Sequence, residues 1–337
     1  MRAFVITGPR QARVATVDDP VAAPGQVVVD VERAGICGTD VEFFTGHMAY
    51  LHQGHASYPV RIGHEWCGVV RAVGAGVDSA WIGRRVTADT MLGCGRCRTC
   101  AGGKQHLCPD RYEIGIRRGW PGALAEQLVV PLTAVYPLPD EVGAVAGALV
   151  EPGGTALRTV DAAGARPGSC LAIWGPGTIG LLAAQFAMAA GAQVHVVGET
   201  EQSLANARAL GVAGAWTGEH VPSLPYDAVI DATNGAGVPS AALDLVAPGG
   251  RVVYVGLAGT SSLIDTRTLV LKDVTAIGVL SGSPGISATI EKYASGDVDP
   301  TVLVAATITL DEVADALAGR RQSGAGPGPK ILIDPRL

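Results

Sequence analysis

Four cysteines, Cys94, Cys97, Cys100 and Cys108, fall within fifteen residues with the spacing C-x2-C-x2-C-x7-C. Four thiolates this close can close a tetrahedral zinc site, and Gly93, Gly95, Gly102 and Gly103 allow the loop to wrap around it. An iron–sulfur cluster also uses four cysteines, and the spacing alone does not separate the two. Four free thiols clustered in this way are the weakest reading. A second set of donors is dispersed: Cys37 in Gly35-Ile36-Cys37-Gly38-Thr39-Asp40, then Gly63-His64-Glu65, then Glu151-Pro152. Each has an ordinary explanation, as a core cysteine, a hydrogen-bonded histidine, or an acid at a helix start. Together they offer one thiolate, one imidazole and one or two carboxylates, a set suited to a zinc ion that keeps an exchangeable position.

A third motif, Gly175-Pro176-Gly177-Thr178-Ile179-Gly180, fits G-x-G-x-x-G. The pattern is weak alone in a chain with 46 glycines. Here it follows an apolar strand and opens an amphipathic helix, the context in which it cradles a dinucleotide pyrophosphate. An ordinary βα turn is the competing reading. The next strand ends Val197-Gly198-Glu199, so Glu199 is the candidate for the adenosine ribose hydroxyls. Gly198 at the strand tip would leave room for a 2′-phosphate. Yet no Lys or Arg lies between Gly191 and Ala207 to neutralise one, which favours NAD over NADP.

These residues need elements to hold them. The first 140 residues read as short strands between turns: Val27–Val31 after Pro24-Gly25, Val69–Val73 before Gly74, and Leu124–Val130 before Pro131. That spacing suggests a β-rich, barrel-like domain. From about Pro152 strands and helices alternate. Strands are expected at 169–174, 193–197, 226–231, 251–255 and 274–278, and helices at 178–190, 202–210 and 238–246. Repeated βα units imply an α/β, doubly wound parallel sheet. Beyond Ser283 the pattern blurs to a short helix at 311–317 and a strand at 330–333.

Composition bounds the function. Of the 337 residues 48% are hydrophobic and 17% charged, which argues for extensive buried cores and against disorder. The formal charge of −6 disfavours nonspecific nucleic-acid binding, and Arg96, Arg98, Lys104 and Arg111 around the cysteine loop are the only support for it. No apolar run approaches the length of a bilayer span, and the first residues carry no signal-like apolar region. A cytoplasmic protein without membrane or nucleic-acid partners is expected. Seven cysteines, without a secretion signal, suit metal binding better than a disulfide framework.

The ordered motifs Gly-Ile-Cys-Gly-Thr-Asp, Gly-His-Glu, the four-cysteine loop, Glu-Pro and Gly-Pro-Gly-Thr-Ile-Gly resemble the zinc-containing medium-chain dehydrogenase/reductase family. The closest branch is that of the polyol (sorbitol) and threonine dehydrogenases. The likeness continues through Ala247–Gly256 and Lys272–Gly278, so it spans nearly the whole chain. It implies a GroES-like catalytic domain from residues 1–150 and 284–337, with a Rossmann NAD(P)-binding domain at 151–283. By position it implies that Cys37 and His64 ligate a catalytic zinc, with Glu65 and Glu151 able to ligate or exchange with water. Cys94, Cys97, Cys100 and Cys108 would hold a structural zinc, making two per chain. Thr39 would pass on the alcohol proton, and Val255, Gly256 and Leu257 would hold the nicotinamide. Gly175, Gly177, Thr178, Ile179 and Gly180 would hold the diphosphate. Glu42 departs from the family, standing where many relatives have a relay histidine; His47, His52 and His55 read as surface-loop residues. The resemblance implies hydride transfer between a secondary alcohol (polyol, cyclitol, sugar or amino alcohol) and a nicotinamide, giving a ketone, in a homodimer or homotetramer. The acidic segment with Asp40 and Glu42 adds to the expectation of a polar substrate. A noncatalytic NAD- or zinc-binding sensor with the same fold is the alternative, against which the retained Cys37, His64 and Thr39 argue.

Overall fold

Val27, Val29 and Val31 alternate along a valine-rich run, the pattern of a strand with one face in a core. In the computed structural model, which describes residues 1–320 and 322–337, all three are fully buried on the strand Gln26–Gly35. This strand is central to a seven-stranded sheet ordered Val304–Ile308, Lys330–Ile333, Gln26–Gly35, Glu65–Val73, Arg85–Ala88, Val135–Pro137, with Gln127–Pro131 also pairing the central strand. Register decides what meets at its end. Gly35 lies opposite Glu65 on one side and Leu332 on the other, so segments distant in sequence converge just before Cys37. Trp66, Phe4, Phe43 and Leu128 fill the core beneath.

The strand expected at 124–130 is shorter, Gln127–Pro131. Leu124–Glu126 bond elsewhere: the Phe4 N–H donates to the Leu124 carbonyl at 2.8 Å, and the Glu126 N–H to the Arg2 carbonyl at 3.0 Å.

The second sheet has six parallel strands in the order Gly214–Thr217, Gln193–Gly198, Cys170–Trp174, Tyr226–Asp231, Val246–Tyr254, Thr275–Gly278. This is the doubly wound order, reversing beside Cys170–Trp174. Helix Thr178–Ala189 has no polar face over most of its length, and Gly180–Ala187 are all buried. The strand expected from 251 begins at Val246 and carries Pro248-Gly249-Gly250 within it, because the helix Val238–Leu245 stops one residue earlier than expected.

The chain divides into two compact units, Met1–Glu151 with Ile286–Ala294 and Val304–Leu337, and Pro152–Gly285 with Ser295–Leu303. The first unit, expected to resume at 284, resumes at Ile286, and the chain crosses twice more. Ile286–Ala294 pack with the first unit, where the Tyr293 hydroxyl donates to the Leu149 carbonyl at 3.1 Å. Ser295–Leu303 pack with the second, where the Asp299 N–H donates to Gln185 Oε1 at 3.1 Å. Among the described residues, no helix is long and apolar enough to cross a membrane.

Candidate active site

Cys37 stands two residues past Gly35 and is the N-cap of helix Gly38–Thr45; His64 immediately precedes strand Glu65–Val73. The pairing of those two strands brings the three side chains together. Donor atoms of Cys37, His64 and Glu65 all lie within 4.8 Å of one another, His64 and Glu65 buried and Cys37 half-buried. One ion with bonds of about 2.0–2.3 Å fits such a group, and thiol, imidazole and carboxylate are donors that zinc accepts. Glu151, in the first turn of helix Val150–Ala163, lies outside this cluster. Thr39 is half-buried in the first turn after Cys37.

Asp40 ties the cluster together. It is fully buried, its Oδ2 accepts the Cys37 N–H at 2.9 Å, and its Oδ1 accepts the Gly63 N–H at 3.2 Å and lies 3.7 Å from His64 Nδ1. Of the acidic segment expected to favour a polar substrate only Glu42 is thus exposed, and Asp40 is a buried brace of the donors. Its spacing three residues after an N-cap was the available sign, since an acid there reaches back to the cap's own N–H.

Lys330, which no motif marked, is the other support. It is 2% exposed, and its Nζ donates to Glu65 Oε2 at 2.6 Å and to the Ile36 carbonyl at 2.8 Å. A Cβ on Gly35 would lie 2.1 Å from Glu65 Oε2, so the bare backbone at Gly35 makes room for this carboxylate.

The charges favour a cation. Burial pulls the His64 imidazolium down, but Asp40, the hydrogen bond with Cys37 and the charge of Glu151 outweigh it and leave His64 well above its usual value. Burial raises Asp40, partly opposed by His64 and the Cys37 N–H. Burial raises Glu151 to about 7, with His64 opposing and Glu65 adding to the shift. Lys330 is pulled down by burial, yet Glu65 and Cys37 hold it above its usual value.

Cys94, Cys97, Cys100 and Cys108 also converge, with sulfurs within 4.8 Å of one another. Cys97 caps the short helix Arg98–Ala101, and its sulfur accepts the Cys100 N–H at 3.4 Å, which draws the Cys97 thiol down to about 6. N–H groups of Arg96 and Cys97 lower Cys94 in the same way. Burial pushes Cys100 up to about 12, and a bound cation would favour its ionised form. Gly93 is packed close, its absent Cβ only 2.6 Å from Cys100 Sγ.

In the second unit Gly175 (φ +100°) turns the chain after Trp174, and Gly177 caps helix Thr178–Ala189 without a side-chain hydrogen bond. The first-turn N–H groups are thus left for a ligand, and a Cβ on Gly177 would meet nothing within 4 Å. Gly180 cannot take a Cβ, which would sit 1.9 Å from the Gly175 carbonyl oxygen. Glu199 is exposed just beyond the strand Gln193–Gly198. Val255 and Gly256 both donate to the Asp231 carbonyl at 3.0 Å, and a Cβ on Gly256 would lie 1.8 Å from the Thr233 carbonyl oxygen; Leu257 is 79% exposed. Thr233, unmarked in the sequence, closes this end of the sheet: its N–H and hydroxyl donate to Asp231 Oδ1 at 2.9 and 2.8 Å. Of the loop histidines, His47 and His52 are exposed, whereas His55 is half-buried and edge-on to Tyr50.

Residues 23–140 match the Alcohol dehydrogenase GroES-like domain and residues 178–295 the Zinc-binding dehydrogenase domain. YdjJ of Escherichia coli (strain K12), an uncharacterized zinc-type alcohol dehydrogenase-like protein, is 30% identical over 311 residues, 89% of each chain. The sorbitol dehydrogenase of Bacillus subtilis (strain 168) is 28% identical over 329 residues, covering 94% of this chain and 92% of that one. Among solved structures, a short chain alcohol dehydrogenase, RspB of Escherichia coli CFT073, complexed with cofactor NADH, superposes with a TM-score of 0.90 at 26% identity over 99% of both chains. Fold and site together define an oxidoreductase built from a GroES-like and a Rossmann unit. The chain belongs to the zinc-containing medium-chain dehydrogenase/reductase family.

Proposed function

We propose that this protein oxidises a secondary alcohol of the polyol, cyclitol, sugar or amino-alcohol kind to a ketone, with NAD favoured over NADP and two zinc ions per chain. The observation that carries the reading is the Cys37–His64–Glu65 cluster, half-buried at Cys37 and buried at the other two, braced by Asp40.

A zinc ion on Cys37 and His64 would acidify a bound hydroxyl, as it lowers water from about 15.7 to about 7, an effect of roughly 12 kcal/mol, while a nicotinamide would accept the hydride. The remaining work belongs to the chain. Asp40 fixes the backbone at Cys37 and Gly63, so that both donors keep their separation. Thr39, in the first helical turn after Cys37, would accept the hydroxyl proton and pass on its own. Lys330 holds Glu65 Oε2 at 2.6 Å, which would leave the metal position between Cys37 and His64 free to take the substrate hydroxyl. In the second unit the uncapped N–H groups after Gly177 would bind the diphosphate, and Val255–Leu257 the nicotinamide. Glu199, with no Lys or Arg from Gly191 to Ala207, supports NAD. Gly198 is hemmed in by the Pro176, Ser203 and Leu204 side chains, each 2.9 Å from where its Cβ would be, so a side chain there would have to displace them.

The test is reduction of NAD or NADP by metal-replete protein against a panel of polyols, cyclitols and amino alcohols. Cys37→Ser should lower turnover by at least about 10³-fold while NADH binding persists, because loss of one ligand removes most of the metal's electrostatic contribution. Retained activity in that variant overturns the zinc assignment. The family likeness and the unpaired edge of the parallel sheet also support a homodimer or homotetramer.

A further inference from the structure

The segment after the four-cysteine loop holds a buried cation that the scheme above does not use. Arg117 is 6% exposed, and its Nε and Nη1 are sealed from solvent without a hydrogen-bond partner. Among the described residues its guanidinium joins no ion pair, and it lies over the Tyr50 ring, 5.6 Å from the ring centre. The nearby acid is already engaged: Glu113 Oε1 accepts from Arg111 Nε at 2.7 Å and from the Tyr50 hydroxyl at 3.1 Å. The formal charges of Arg111, Glu113 and Arg117 thus sum to one positive charge, with the Glu113 Oε1 taken by Arg111 and Tyr50.

Burying a guanidinium, with five N–H donors, without an anion is costly, and a cation–π contact offsets that only in part. The position of the segment indicates what could supply the missing charge. Gly115 packs backbone to backbone on Gly63, where an added Cβ would lie 2.7 Å from the Gly63 carbonyl oxygen. The Ile114 N–H donates to the Thr90 carbonyl at 3.0 Å, and the Thr90 hydroxyl donates to the His64 carbonyl at 3.0 Å. The segment bearing Arg117 is thus fastened to the residues that present His64.

We propose that Arg117 anchors an anion subsite beside the metal donors, and that the alcohol oxidised here carries a carboxylate or phosphate group. The proposal rests on the dehydrogenase reading and narrows its substrate class. A guanidinium suits either anion, because its forked N–H groups match two oxygens at once.

Two measurements on the full-length, metal-replete protein test it. The first compares kcat/KM for sorbitol, sorbitol 6-phosphate and gluconate, which separates phosphate from carboxylate. In the wild type an anionic member is preferred, and in Arg117→Met the anionic-over-neutral ratio falls roughly 10- to 100-fold, the value of a hydrogen bond to a charged group; Arg117→Lys retains part of it. An unchanged ratio overturns the proposal. The second compares melting temperatures with and without inorganic phosphate or malonate. The wild type gains stability from one of these anions and Arg117→Met gains less, while in anion-free buffer the variant melts no lower than the wild type because an unpaired buried charge is gone. An equal anion-induced shift in both proteins, or a variant that melts lower without anion, marks Arg117 as structural and sinks the subsite. Failure of the wild type to reduce either cofactor with any alcohol refutes the dehydrogenase reading instead, and the melting comparison then decides the subsite alone.

Discussion

Lys330 and Glu65 form a buried ion pair, each side chain 2% exposed and 2.6 Å apart. Removing one member leaves the other charged and dry, a change that typically costs about 3–5 kcal/mol, whereas removing both costs far less. Lys330→Met should therefore lower the unfolding free energy by that amount in a denaturant titration, and Lys330→Met/Glu65→Gln should recover most of it. Additive losses in the double variant would mean that the two residues do not act as a pair. This support was not legible in the sequence. The partners lie 265 residues apart, and nothing in Lys330-Ile331-Leu332-Ile333 distinguishes a site lysine from a strand-end lysine. The donors themselves were legible, because Cys37, His64 and the four-cysteine group sit in short motifs whose residue types have few other uses. Arg117 was silent for the opposite reason: its meaning lies in the absence of a partner, which only coordinates reveal.

At the scale of elements, the glycines after Trp174 divide into two kinds. Gly180 faces backbone, with the Gly175 carbonyl oxygen 1.9 Å from a would-be Cβ, and backbone cannot swing aside as a side chain would. Gly180→Ala should destabilise the fold by about 1–3 kcal/mol through overpacking. Gly177 faces open space, so Gly177→Ala should unfold at the same denaturant concentration as the wild type. If the turn holds a diphosphate, that added methyl still blocks its approach, and NADH affinity measured by calorimetry drops at least about tenfold. Wild-type NADH affinity in Gly177→Ala would assign the motif to packing alone. The strands flanking this turn could be read ahead because their apolar runs are long and bounded by turn residues. Helix Val150–Ala163 could not, beyond Glu151 as an acid at a helix start, since Pro152-Gly153-Gly154 in its first turn are turn formers. Its glycine has a packing cause instead: a Cβ on Gly154 would stand 2.8 Å from the Gly282 carbonyl oxygen. Strand Gly214–Thr217 is too short, and too evenly half-buried, to leave a periodic trace.

Over the whole molecule, the division into a β-rich unit and a doubly wound unit follows from where the hydrophobic period changes. The late crossings at 286–304 do not, because side-chain contacts rather than periodicity decide them. Among the described residues, one edge of the six-stranded sheet combines unpaired backbone with exposed apolar side chains. Strand Thr275–Gly278 ends the six-stranded sheet, and Thr275, Ala276 and Gly278 are exposed with Ile277 half-buried. Beside it, helix Thr266–Leu271 presents Val270 and Leu271 at 72% and 85% exposure. An unpaired edge flanked by bare aliphatic side chains is a template for another strand, and a second copy of the same edge satisfies it through a twofold axis. Burial of those aliphatics then supplies association energy that the free edge lacks. The expected result is a species of at least twice the monomer mass in light scattering, converted to monomer by Val270→Asp with Leu271→Asp while the circular dichroism of the fold is kept. A wild-type protein that scatters as a monomer, or a double variant that stays associated, would show that this edge does not pair with its own copy.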